Sequence, residues 1–184
     1  MRVLVAYASK YGATEGIARR IGDVLRDRGH QVSVMPCQDV ADASTFDAYV
    51  VGSAAYAFNW RKAARMFVHR NVDLLSAHPV WIFSSGPLGT EQVDENGADV
   101  LKGAEPKQFD EYAPLIHPRG TKVFRGAFDP NKLRGGDRMV AWLPALRDLL
   151  REGDFREWDK VDAWAAAISE QLEPAVAGAS RDDA

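Results

Sequence analysis

The sequence holds a single cysteine, Cys37. No intramolecular disulfide can form, and no multi-cysteine zinc or iron–sulfur centre can be assembled. A lone thiol suits a reducing compartment, so a cytoplasmic location is expected. Long apolar runs are also missing: nothing approaches the roughly 20 residues that a membrane-crossing helix requires. Met1-Arg2 leads directly into a short apolar stretch, so no secretory leader is expected. Contact with the inner face of a membrane stays open. A net charge of −3 provides no strong field of either sign. It leaves no footprint for nucleic acid, and an acidic ligand would have to be held by local groups. The four histidines, His30, His69, His78 and His117, have no matched acid, nucleophile or second histidine at metal-ligand spacing, which argues for structural or surface roles and against a metal. The G-x-x-x-x-G-K-[ST] and G-x-G-x-x-G patterns are both absent, which counts against a nucleoside triphosphate and NAD.

What is present is an ordinary soluble composition, 46% hydrophobic and 27% charged over 184 residues, enough for one domain with a sizeable core. The expected domain spans 1–173, with 174–184 a flexible tail. RVLVAY (2–7) is a near-continuous apolar run, as in a strand covered on both faces. Ile17, Ala18, Ile21, Val24 and Leu25 then recur at helical spacing over 14–29, with Gly29 as the stop. Further strands are expected at 31–36, 47–54, 79–86 and 121–128, and helices at 60–75, 136–151 (kinked at Pro144) and 158–172. Residues 87–120 break the rhythm, and a structureless loop of that length is unusual, so 106–116 is read as helical. Strands alternating with helices predict an α/β fold with a mainly parallel sheet.

In such sheets ligands bind beyond the carboxyl ends of the strands, where the strand order reverses. Three of those ends have unusual composition. The first is Ser9-Lys10-Tyr11-Gly12-Ala13-Thr14, where glycine allows close backbone approach, hydroxyls offer donors, and the following helix directs free N–H groups into the loop. That set suits a phosphate monoester; a capped turn with Thr14 as N-cap is the equally weighted alternative. The second, GSAAYAFNW, brings Ser53, Ala54, Ala55, Tyr56 and Ala57 together with Phe58 and Trp60, whose rings could stack on a flat heterocycle or tuck over the core. The third is Ser84-Ser85-Gly86-Pro87-Leu88-Gly89, placed to border the other side of such a ring. Arg61 and Lys62 read either as attractors of an acidic substrate or as a solvated helix start, and Cys37 as a packing residue.

S-x-Y-G-x-T after an opening strand resembles the phosphate loop of flavodoxins, whose FMN at the switch point is an established instance of the rule just used. YASKYGATEGIARRI, GSAAYAFNW, VFRGAFDPNKL…GGDRMVAWL and GDFREWDKVDAWAAAI resemble, more narrowly, the flavodoxin-domain family that contains menaquinone-dependent protoporphyrinogen IX dehydrogenase. The resemblance covers roughly residues 2–172. It implies a three-layer sandwich with a five-stranded parallel sheet in the order 2-1-3-4-5 and helices on both faces. It also implies a noncovalent FMN, with the phosphate on residues 9–14 and the isoalloxazine between 53–58 and 84–89. Electrons would pass from a substrate through the flavin to a small-molecule or protein redox partner such as a quinone. LRGGDRMVAWLPALRDLLREGD departs from the basic, strongly apolar region of that family; its Met139, Val140, Trp142, Leu143, Leu146, Leu149 and Leu150 read as a helix packed on the core, with a membrane-facing stripe as the alternative. An electron carrier without substrate chemistry is the rival function. The weak charge argues against it, because carriers are commonly strongly acidic. A phosphorylated receiver domain is disfavoured, because the first strand ends in Ser9 and Thr14 where an acidic pair would be needed.

Overall fold

A computed structural model describes residues 1–132 and 152–173. The helix expected over 136–151, with Pro144 and the apolar stripe, and the tail 174–184 lie outside the described residues.

Strand β1 (Arg2–Ala8) runs into α1 (Ala13–Asp27), which returns to β2 (Gln31–Pro36). β3 (Ala48–Tyr56) turns sharply into the two-residue β4 (Asn59–Trp60) and continues into α2 (Lys62–Arg70) and α3 (Val72–Ser76). β5 (Val80–Ser85), α4 (Val100–Gly103), α5 (Lys107–Ile116), β6 (Gly120–Phe124) and β7 (Ala127–Phe128) follow, then β8 (Gly153–Asp154) and α6 (Trp158–Leu172). The main sheet has the order β2-β1-β3-β5-β6, every neighbouring pair parallel, with β4 pairing antiparallel to β3. This is the expected five-strand order with an added hairpin.

Three boundaries differ from the sequence reading. The helix over 60–75 is two helices meeting at Asn71, whose side chain donates to the Phe67 carbonyl at 2.8 Å. The strand over 121–128 is two: β6 stays in the main sheet beside β5, and β7 pairs with β8 as a separate antiparallel ribbon. The strand over 47–54 extends to Tyr56 because the hairpin with β4 prolongs it.

Side chains along each central strand alternate between two cores, as the period of a strand demands. Val3, Val5 and Tyr7 of β1, with Trp81 and Phe83 of β5, face α1 and α6. Leu4, Ala6, Val51, Val80 and Ile82 face α2, α3 and α5. Burial on both faces is why these strands read as continuous apolar runs. The first helix packs tightly: a Cβ on Gly22 would meet Val34 at 2.4 Å. It ends in a Schellman arrangement, with His30 N–H donating to Leu25 O and Gly29 N–H to Arg26 O across a left-handed Gly29 (φ 87).

Candidate functional site

The order β2-β1-β3 reverses direction between β1 and β3, and the carboxyl ends of β1, β3 and β5 lie side by side, with Ala8 in register with Ser53 and Ser53 with Ser84. The three loops picked out in the sequence therefore leave one edge of the sheet.

In the first loop, Gly12 is the N-cap of α1 in the left-handed conformation (φ 91), and its N–H donates to Ser9 Oγ at 3.0 Å. No side chain caps the helix, so Thr14 is not the N-cap that the alternative reading offered. The first intrahelical bond is Gly16 N–H to Gly12 O at 2.9 Å, so the N–H groups of Ala13, Thr14 and Glu15 precede the ladder. Their partial positive charge and the helix dipole converge on this end. Thr14 is fully buried, and its hydroxyl lies 2.6 Å from Ser85 Oγ, joining the first loop to the third. Lys10 stands 5.2 Å from the centre of the Tyr11 ring.

The second loop is a two-residue hairpin. Ala57 (φ 47) and Phe58 (φ 61) both occupy the left-handed region, the backbone that this turn requires and that Asn-Gly ordinarily supplies. The hairpin is held from several sides. Lys107 N–H, at the start of α5, donates to Phe58 O at 3.0 Å. Gln108, itself buried, accepts from Trp60 N–H at 2.7 Å. Ser53 Oγ accepts from Arg61 N–H and donates to Ala54 O. Tyr56 and Phe58 keep 50% and 55% of their surface exposed. Trp60 does not join them: it is buried against Phe109 and Tyr112, a core residue.

The third loop continues the parallel pairing past the end of β5. Ser84 is buried, donating to Ser53 O. Gly86 N–H donates to Phe124 O at 3.1 Å, and Gly126 N–H to Pro87 O at 3.0 Å. Gly89 is left-handed (φ 97). Two carbonyls of this loop, Gly89 O and Glu91 O, accept from the buried Arg125 at 2.7 and 2.6 Å.

Sequence reasoning missed Gln108, the Lys107 amide and Arg125. Each acts on a loop many positions away, so no local pattern could place it; the visible signal for Arg125 was an arginine between the apolar Phe124 and Gly126 in the stretch read as a strand over 121–128. Cys37 is buried, and burial pushes its thiol up to about 12, in keeping with a packing role. Among the described residues no group of acidic, histidine or cysteine side chains could hold a metal, and no helix is long and apolar enough to cross a membrane.

A parallel three-layer α/β sheet with hydroxyl- and glycine-bearing loops at its switch point defines the doubly wound class of ligand-binding domains. The sequence model of the flavodoxin domain matches residues 4–146, and the chain belongs to that family. Solved structures agree in fold. An archaeal flavodoxin is 18% identical, with a TM-score of 0.56 over 94% of this chain and 99% of its own. Oxidised flavodoxin 1 from Bacillus cereus is 14% identical, with a TM-score of 0.59 over 94% and 100%. Rubredoxin oxygen:oxidoreductase from Desulfovibrio gigas is 15% identical with a TM-score of 0.59 over 93% of this chain, which spans only 36% of that longer protein. No curated protein sequence matches. Family membership implies FMN as the cofactor. The donor set fits it: an uncapped helix start, a left-handed glycine and buried hydroxyls suit its phosphate, and exposed aromatics beside a glycine loop suit a flat ring.

Proposed function

We propose that the chain is an FMN-dependent oxidoreductase of the protoporphyrinogen dehydrogenase-like group, passing electrons from an organic substrate to a quinone-type acceptor. The observation that carries the FMN site is the junction of the uncapped α1 start with the end of β5 through Thr14 and Ser85. In this reading residues 9–14 hold the phosphate through backbone N–H groups and the Ser9 hydroxyl. Residues 53–57 and 84–89 flank the ring, with Tyr56 and Phe58 offering aromatic surface to it or to the substrate. The bound flavin supplies reversible hydride and electron transfer. The protein binds, orients and shields it. The Ser53, Arg61, Lys107 and Gln108 contacts fix the hairpin before the ligand arrives, which lowers the ordering cost of binding. The dehydrogenase assignment itself rests on the sequence resemblance and on the weak net charge of −3.

The rival is an electron carrier, favoured by the half-exposed Tyr56 and Phe58, which would sit at a contact surface for a protein partner. Purified protein loaded with FMN distinguishes the two. Sustained oxidation of protoporphyrinogen IX with a menaquinone analogue is expected. Flavin reduction and reoxidation by protein partners, with no such turnover, would establish the carrier.

A further inference from the structure

Arg125 is the one described basic residue among the largest fully buried side chains, with 2% of its surface exposed. A buried guanidinium is costly unless its donors are filled. Here Nη1 donates to Gly89 O at 2.7 Å and Nη2 to Glu91 O at 2.6 Å, while Nε lies 3.5 Å from a carboxylate oxygen of Glu157, just before α6. Lys160 also reaches Glu157, at 2.7 Å. The fork thus spends two donors on the main chain of the loop after β5, while its ion-pair contact with Glu157 is longer and shared with Lys160, and Asp99 also lies within electrostatic reach. The next residue adds a second restraint. Gly126 N–H donates to Pro87 O, and a Cβ on Gly126 would stand 3.1 Å from Gly86 O. Both ends of the 86–91 segment are therefore set by the chain leaving β6.

We propose that Arg125 is a positioning residue for the flavin-flanking loop and also sets its electrostatics: it fixes the carbonyl directions of Gly89 and Glu91 and places a fixed positive charge behind the loop. The inference rests on the assignment of 84–89 to the flank of FMN. Two carbonyls turned onto the guanidinium are turned away from other partners, so the main chain at Gly89 and Glu91 is held in one arrangement. A cation in a low-dielectric setting favours the more negative, reduced form of a neighbouring redox group and raises its potential. Glu157 opposes that effect, so the two residues form an adjustable pair.

The test uses the full chain and three variants: Arg125→Met, Arg125→Lys and Glu157→Gln. Binding of FMN is titrated by fluorescence quenching, the two-electron midpoint potential of the bound flavin is measured against indicator dyes, and amide exchange of residues 86–91 is followed without FMN. Arg125→Met is expected to weaken FMN binding at least tenfold, to speed exchange in 86–91, and to lower the potential. Arg125→Lys retains the charge but not the two-pronged contact, so it speeds exchange while keeping more of the wild-type potential than methionine does. Glu157→Gln leaves the carbonyl contacts in place and raises the potential. Opposite shifts on neutralising the cation in Arg125→Met and the anion in Glu157→Gln are a signature that a purely structural role would not produce. Wild-type affinity and potential in Arg125→Met, or shifts of the same sign in Arg125→Met and Glu157→Gln, overturn the inference. Failure of the wild type itself to bind FMN overturns the flavin reading instead, and unchanged exchange in 86–91 in Arg125→Met then separately overturns the positioning role.

Discussion

The hydroxyls of Thr14 and Ser85 lie 2.6 Å apart, both buried, on residues 71 positions distant in the chain. Neither carries much information in a sequence, because serine and threonine after a strand are common turn residues. Together they fasten the start of α1 to the end of β5. Thr14→Val keeps the shape, removes the bond and strands the Ser85 hydroxyl. The expected loss is about 1–3 kcal/mol of stability in urea unfolding, with a parallel loss of FMN affinity. At Cys37 the raised thiol pKa, about 12, and burial predict silence. Iodoacetamide at pH 8 should leave native protein unlabelled and alkylate it once unfolded; rapid labelling of the native state would place the thiol at the surface.

At the scale of elements, the β3–β4 hairpin shows how tertiary contacts override local preference. Tyr-Ala-Phe-Asn has none of the glycine or asparagine that a left-handed two-residue turn favours at its centre, and the sequence accordingly showed only an aromatic loop. The turn forms because α5 presents Lys107 N–H to Phe58 O and Gln108 to Trp60 N–H, from about fifty positions further along. Ala57→Gly should relieve strain at φ 47 and raise stability by about 0.5–1 kcal/mol in thermal or urea unfolding. A drop in stability would show that the alanine conformation is not strained. The elements read correctly were those whose signals are local. β1 and α1 follow from period and a glycine stop, and α6 from its apolar spacing. The break at Asn71 and the separation of β6 from β7 depend on packing partners, so periodicity merged them.

Across the whole molecule, the two helical layers are bound to one sheet, and the ends of α1 and α6 meet on one side. Arg20 pairs with Asp162 at 2.6 Å, and His30 Nε2 lies 2.9 Å from Ser169 Oγ. Burial holds the His30 imidazole below its ordinary value of 6.5. The unfolded chain therefore binds a proton at a pH where the folded chain still resists it. Stability from this group is complete above 6.5 and declines as the pH falls below it towards the folded value. Urea midpoints measured from pH 7.5 to 5 should fall, and His30→Gln should flatten that slope; an unchanged slope would rule out His30 as its source.

The class of fold was legible because a parallel sheet writes itself as alternating apolar strands and amphipathic helices. The three loops were legible because the switch-point rule collects strand ends without needing their side-chain contacts. Arg125 and Gln108 were not legible, since their roles exist only once β6 and α5 have docked against those loops. In the proposed reading the substrate is a property of what would surround the ring, and a loop that holds only the phosphate would not encode it. The most direct test of the central claim is equilibrium titration of the purified, flavin-stripped chain with FMN and, in parallel, with riboflavin. Stoichiometric FMN binding with restored flavin absorption bands, at least tenfold tighter than riboflavin and weakened by Thr14→Val, is the predicted result. A chain that takes up neither compound, or binds both equally and ignores Thr14→Val, would contradict a phosphate cradle at residues 9–14.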